Sequence, residues 1–390
     1  MPAPVPSRRE ILARLVGFPT VSAASNLDLV AWVRDLLESH GVATTTVPDP
    51  GGDKAGLVAT VGPADRPGAV LSAHTDVVPV EGQPWTSDPF VLTERAGRLY
   101  GRGTTDMKGF VACALHAALR AAAQPLASPL HLALSWDEEI GCVGVRTLLP
   151  AVNALPAAPA FCIVGEPTAM TVVTGHKGKV AARAVCTGRD GHSALAPMAL
   201  NAIHLASDLV TALRARQAAI AAGGPFDPGY AVPYTTLHAG RIEGGVALNI
   251  VPNRCSVDFE IRNLAADDPA AILDGLRADA ARIVAAEAAR IPEAAIAIAV
   301  TNAYPGLDTD PASPTVTLVR ALAGTGPGPG KVAYGTEAGL YVETLGLPTV
   351  VCGPGDMAQG HRPNEFVAES ELAACDAMLD RLVGRLAAGL

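Results

Sequence analysis

Through the first 178 positions, and again near the C-terminus, short apolar runs stop abruptly at charged or imidazole-bearing residues. Residues 68–77 read as a buried strand that closes on His74-Thr75-Asp76 and is stopped by Pro79. Residues 55–62, 129–136 and 160–164 read likewise, the last two running into Asp137-Glu138-Glu139 and Gly165-Glu166-Pro167. A shorter strand is expected at 44–47. Helical spacing fills two stretches between 8 and 41, the second over 27–40 with Leu29, Val30, Val33, Leu36 and Leu37 on one face and Gly41 as its cap. An alanine-rich helix follows at 110–123, and another closes the chain at 369–386. Such a succession predicts an open α/β sheet, whose chemistry collects beyond the C-terminal strand ends.

The rhythm changes after residue 178. Residues 179–186 alternate like a half-exposed strand, followed by Gly191-His192-Ser193-Ala194 and a helix over 201–221. Strands at 234–242 and 254–262, a helix at 269–290 and an alternating run at 294–302 complete the order β-α-β-β-α-β. That is the order of a split βαβ, ferredoxin-like unit. Residues 1–178 and 303–390 would then form one α/β domain, with short strands at 331–334 and 349–352, and 179–302 a domain inserted into it.

Composition removes several classes of function. A net charge of −9, with no basic run, argues against nucleic acid. No apolar run is long enough to span a bilayer. The pair Arg8-Arg9 imitates an export signal, but Glu10, Arg14 and Pro19 interrupt the apolar region it would need. Seven scattered cysteines, none in a C-x-x-C pair, fit reduced thiols in a cytoplasmic protein and give no thiolate zinc site. Two apparent nucleotide motifs also fail. The 101–106 stretch has Asp106 where a dinucleotide fingerprint needs glycine, and 324–331 has Thr325 and Val332 where a phosphate loop needs Gly and Ser or Thr. With Pro327 and Pro329 inside it, the latter reads as a surface loop.

What remains are the acids and histidines at strand ends: His74, Asp76, Asp106, Glu138, Glu139, Glu166 and His361. Singly each has an ordinary explanation, as an N-cap for Asp106 or a solvated turn for Glu138 and Glu139. Jointly they do not, because strand ends of an open sheet lie on one edge and so many carboxylates there would repel one another. Two divalent cations held by carboxylate and imidazole resolve the conflict.

The segments LSAHTDVVPV, GRGTTDMKGF, SWDEEIGCVG, VGEPT and GHRPNEF resemble, in order, the five metal-site motifs of the dinuclear-zinc aminoacylase and carboxypeptidase family. The likeness runs over nearly the whole chain and includes the GHSA segment of the insertion. HKGK at 176–179, VPYTTLHAGRIEGG at 232–245 and GTEAG at 335–339 resemble the deacetylase branch. The resemblance implies an α/β fold, a mixed-sheet zinc-hydrolase domain carrying an inserted ferredoxin-like α+β dimerisation domain. It implies two Zn²⁺ per subunit, with Co²⁺ as the alternative. Asp106 would bridge them, His74 and Glu166 completing one site and Glu139 and His361 the other. Asp76 would hold the ring of His74, and Glu138 would be the general acid/base. A cis peptide is expected after Asp106. His192 of a second subunit would stabilise the oxyanion, so a homodimer is expected.

Metal coordination lowers the pKa of water to about 7, and an amide nitrogen leaves only when protonated, which is the proton Glu138 would carry. Asn249 and Arg262 are candidates for the substrate α-carboxylate, with sheet-edge solvation as the equal alternative. Glu337 is the candidate for a side-chain ammonium, and Lys177 and Lys179 have no assigned role. The implied substrate is N-acetyl-L-ornithine, cleaved to L-ornithine and acetate in arginine biosynthesis. Another N-acylamino acid, succinyl-diaminopimelate or a dipeptide would suit the same mechanism. A non-catalytic binding protein on this fold is the remaining alternative, and the intact set of ligands argues against it.

Overall fold

The buried runs of the sequence become the middle of a mixed sheet. The structure, a computed structural model, describes residues 4–326, 328 and 330–390, so the two prolines of the expected 324–331 loop lie outside the described residues. The chain divides into two compact units: Met1–Gly175 with Leu307–Lys331 and Thr336–Leu390, and His176–Gly306 with Val332–Gly335.

In the first unit, strands β1 (Ala43–Pro48), β2 (Ala55–Val61), β3 (Ala69–His74), β4 (Leu130–Ser135), β5 (Phe161–Val164) and the strand Thr349–Val351 lie in the order β1-β2-β4-β3-β5-Thr349–Val351. β1 and β2 run antiparallel, while β4, β3, β5 and Thr349–Val351 pair in parallel. Every residue of β3, β4 and β5 is buried, which is why their sequences are continuous apolar runs and not alternating ones. The parallel register sets His74 opposite Ser135 and Ser72 opposite Val164, so three consecutive C-terminal ends open on the same edge.

Helices α1 (Arg8–Val16), α2 (Leu27–Glu38), α3 (Lys108–Ala122) and α4 (Val143–Asn153) belong to this unit, with Pro314–Ala323, Ala338–Leu345 and Glu369–Ala388. Ser7 and Glu10 form a capping box that starts α1. α3 is buried on nearly all sides, between β3 and the helices α1 and Glu369–Ala388, and its alanines permit that close packing.

The expected 68–77 strand stops at His74. Beyond it, Val77 N–H bonds to Thr20 and Val77 O accepts from Ser22 N–H, so the chain turns from β4 toward residues 20–22. Three further helices lie outside the elements that the periodicity predicts. α4 starts from Cys142 in a left-handed conformation (φ 54°), lacks a side-chain cap and contains Pro150, so its start is not legible. Ala338–Leu345 is only 8 residues long, and its N-cap residue, Glu337, makes no side-chain capping bond. Pro314–Ala323 does carry readable marks, Ser313 at its N-cap and Gly324 after its end. The strand expected at 331–334 is confined to Lys331–Val332.

The second unit is an antiparallel sheet of β6 (Lys179–Thr187), β7 (Thr236–Gly244), β8 (Arg254–Arg262) and β9 (Ala295–Tyr304) in the order β7-β8-β6-β9. Helices α5 (Ala202–Gly223) and α6 (Pro269–Ala288) pack on one face, started by Asn201 and by Asp268-Pro269. β7 is an edge strand whose last residues are exposed, and the loop after it carries Val246 and Leu248 in full contact with water. Among the described residues no helix is long and apolar enough to cross a membrane.

Candidate metal centre

Each parallel strand end delivers a donor. His74 is the last residue of β3, Glu138 and Glu139 follow the turn after β4, and Glu166 lies two residues beyond β5. Asp106 precedes α3, and His361 sits in a turn beyond Thr349–Val351 with φ 59°, a left-handed conformation costly for a residue with a Cβ. At Gly165 a Cβ would come within 2.0 Å of the Phe110 ring, so only glycine lets the chain leaving β5 pass α3 and present Glu166.

The five expected ligands converge. His74 Nε2 stands 3.1 Å from Asp106 Oδ1 and 3.7 Å from Glu166 Oε1. His361 Nε2 stands 3.1 Å from Asp106 Oδ2 and 2.9 Å from Glu139 Oε2. Each Asp106 oxygen therefore faces a different histidine. Two sets, His74–Asp106–Glu139 and His74–Glu138–Glu166, bring their donor atoms within 4.8 Å of one another. Glu139 Oε1 is buried with no hydrogen-bond partner among the described residues. The Asp106–Met107 peptide is cis.

Burial alone would raise the Asp76 pKa, but contacts with His74 and Ser22 and the Glu138 N–H hold it below the usual value. Its Oδ1 lies 3.3 Å from His74 Nδ1, and its Oδ2 accepts from Ser22 Oγ at 2.6 Å. The backbone N–H groups of Glu138 and Glu139 complete its shell at 3.1 and 3.3 Å. Asp76 thus orients both an imidazole and the loop bearing two acids. Asp106, despite its burial, is driven low by hydrogen bonds from His361 and His74.

The other acids are pushed the opposite way. Burial, with repulsion from Glu139, Glu337 and Asp106, lifts Glu138 to about 8. Burial and Asp106 lift Glu139 to about 7, and the same two causes raise Glu166 well above the carboxylate range. His361, bonded to Asp106 and Glu139, rises to about 10. Carboxylates forced toward protonation beside one strongly ionised neighbour are what a cation would neutralise. The donor chemistry, imidazole and carboxylate with one idle buried oxygen, fits a zinc-type ion.

Of the remaining predicted residues, Glu337 lies beside this cluster and the other three lie in the second unit. His192 is exposed in the second unit, and its Nδ1 accepts from Ala194 N–H at 3.1 Å. Asn249, also exposed there, gives its carbonyl to Ser193 N–H. Arg262 is half-buried, donating to Glu260 at 3.1 Å and to the Tyr304 hydroxyl at 2.9 Å. Glu337 is 1% exposed in the first unit, and its oxygens accept from Ser72 at 3.2 Å and from Ser135. The ammonium contact expected for Glu337 would require those hydroxyls to turn away.

Several contributors escaped the sequence reading. Asp137, in a left-handed conformation, bonds Ala23 N–H at 2.9 Å and pairs with Lys54, fixing the turn before Glu138. Cys142 Sγ approaches Glu138 Oε1 at 3.3 Å. The only hint for Asp137 was its place at the head of an acidic triplet, and Cys142 had none.

Residues 70–385 match the model of peptidase family M20/M25/M40. An acetylornithine deacetylase from Myxococcus xanthus is 35% identical over 391 residues, covering 99% of both chains. One from Pasteurella multocida (strain Pm70) is 31% identical over 392 residues, again 99% of both. Among solved structures, an M20 family metallo-carboxypeptidase from Sulfolobus solfataricus aligns with a TM-score of 0.79 at 19% identity, over 97% of this chain and 98% of that one. A dinuclear metal binding peptidase of the same family from Bacillus subtilis aligns at 0.71 and 16%, over 98% of each. Sequence likeness from end to end, and a shared fold around buried acids and imidazoles, have one reading: the chain belongs to peptidase family M20/M25/M40 and is a metal-dependent amide hydrolase.

Proposed function

We propose that this chain deacetylates N-acetyl-L-ornithine, releasing L-ornithine and acetate, as a cytoplasmic homodimer with two zinc ions (or cobalt) per subunit. The observation that carries the reading is the convergence of His74, Asp106, Glu139, Glu166 and His361 beside the half-buried Glu138. His74, Asp106, Glu139, Glu166 and His361 would hold the ions, His74 and Glu166 at one position and Glu139 and His361 at the other, with Asp106 shared between them. When bound, the ions supply Lewis acidity toward the acyl carbonyl and a nucleophile at neutral pH. Glu138 accepts the proton of the attacking water and passes it to the departing amine. Burial and neighbouring acids already favour its protonated form, which suits the second of those tasks.

His192 completes the site from the second subunit. Its Nδ1 accepts from Ala194 N–H, so the neutral ring carries its proton on Nε2, the atom that would donate to the oxyanion. Asn249 and Arg262 hold the substrate α-carboxylate, and Glu337 supplies negative charge for the ornithine ammonium. The names of the two curated relatives favour the acetylated substrate, and seven free, buried cysteines suit a reducing compartment. The test compares kcat/KM for N-acetylornithine, N-acetylmethionine, succinyl-diaminopimelate and a dipeptide on zinc-loaded protein. N-acetylornithine should lead. A higher value on another member of the panel replaces the substrate and leaves the mechanism.

A further inference from the structure

Glu365 and Arg102 form a fully buried ion pair, each 1% exposed, with a separation of 2.6 Å. Neither is part of the machinery described above. The partners of the Glu365 carboxylate are unusual in number and in origin. Oε1 accepts from the backbone N–H of Thr105 at 2.9 Å and of Asp106 at 3.1 Å. Oε2 accepts from Gly103 N–H at 3.0 Å and from the Arg102 guanidinium. One side chain thus gathers three peptide N–H groups of the segment that ends in Asp106.

Arg102 reaches in the other directions. Its second Nη donates to Gln83 Oε1 at 2.6 Å and to Pro79 O at 3.3 Å, and its first also meets Arg362 O at 3.4 Å. The guanidinium lies over the Trp85 ring at 5.1 Å. Gln83 in turn donates to His361 O at 3.4 Å. The pair therefore ties together the loop beyond His74 and Asp76, the segment carrying Asp106 and the turn carrying His361. His361 needs such an anchor, since its side chain is 50% exposed and its backbone is left-handed.

We infer that Glu365 is a positioning residue that, through Arg102, sets Asp106 and His361 at the spacing the second metal position requires. This rests on the metal reading given under Proposed function. Four donors converge on the two carboxylate oxygens, and only an acceptor-only group satisfies all of them. Glutamine is the same size but would point an NH₂ at two of those donors. The pair is buried, so removing one charge alone strands the other, whereas removing both avoids a stranded charge but leaves the N–H groups of Gly103, Thr105 and Asp106 without their acceptor.

The experiment measures zinc affinity of the apoprotein by competition with a chromophoric chelator, for wild type, Glu365→Gln and the double variant Arg102→Met/Glu365→Leu. Far-UV circular dichroism and apoprotein melting are followed in parallel. Both variants should bind zinc about 10- to 100-fold more weakly than wild type. The double variant leaves three buried N–H groups without an acceptor and should melt lower, so affinities are compared at a temperature where both variants keep the wild-type circular dichroism; a loss of affinity in the intact fold is what a merely structural pair would not give. Wild-type affinity in a folded variant overturns the inference and leaves the metal reading intact. A wild-type chain that takes up no zinc overturns both.

Discussion

At one edge of the central sheet, His74, Asp76, Asp106, Glu138, Glu139 and Glu166 are largely withdrawn from water, all on or just beyond strand ends or before a helix. In the second unit, on loops and a short helix outside its antiparallel sheet, Leu248 is 101% exposed, Val246 87% and Met198 72%. The first region hides ionisable groups, and the second displays apolar ones. Neither arrangement stabilises an isolated chain, since burying a charge and hydrating a large apolar side chain both cost free energy. The contrast separates what a sequence does to fold from what it does to bind. Residues that conform to ordinary burial build the sheet and its helices, while those that violate it mark the surfaces reserved for cations and, by our proposal, for a second copy.

Metal removal should separate the two regions most sharply. Chelation should abolish hydrolysis, and zinc or cobalt should restore it. It should also expose a pH dependence confined to the apoprotein. Glu138 and Glu139, with native values near 8 and 7 against an ordinary 4.5, keep their protons in the folded state where the unfolded state has lost them. Apoprotein stability should therefore fall as pH rises from about 5 to 8, and thermal melts with and without zinc would reveal it. A flat apoprotein curve would mean that the acids are not crowded as described.

Glu138→Ala is the next largest test. Turnover should drop about 10²- to 10⁴-fold with zinc content unchanged. Wild-type turnover would remove Glu138 from the chemistry. On the other region, Leu248→Asp should weaken self-association about tenfold or more in sedimentation while leaving the melt of the first unit in place. An unaltered dimer would show that this loop is not the contact.

A last test lies away from both regions and serves as their control. His131, on β4, is lowered to about 4 by burial alone. Its stabilisation is present above about pH 6.5 and is lost as the unfolded chain takes up a proton that the folded chain refuses, down to about pH 4. His131→Leu should flatten the acid limb of stability by up to about 3 kcal/mol, read from melts between those limits. Activity at neutral pH should not change.

Much of this is legible in the amino-acid sequence. Continuous apolar runs at 55–62, 68–77, 129–136 and 160–164 each overlie an observed strand, because strands covered on both faces need no polar alternation. The acids and histidines were legible because they interrupt those runs. The reading weakened where tertiary contacts replace local signals. α4 has no cap to announce it, and the 68–77 strand was read three residues too long because its continuation pairs with residues 20–22. Glu365 left no trace of its contacts, since a carboxylate that binds backbone N–H groups has neither period nor partner in the sequence.

Asp106 offers one oxygen to the neighbourhood of His74 and the other to that of His361. A shift of that single side chain disturbs both halves at once. Were two ions held there, filling one half would set the carboxylate that the other half uses, so binding at the two positions would be energetically linked.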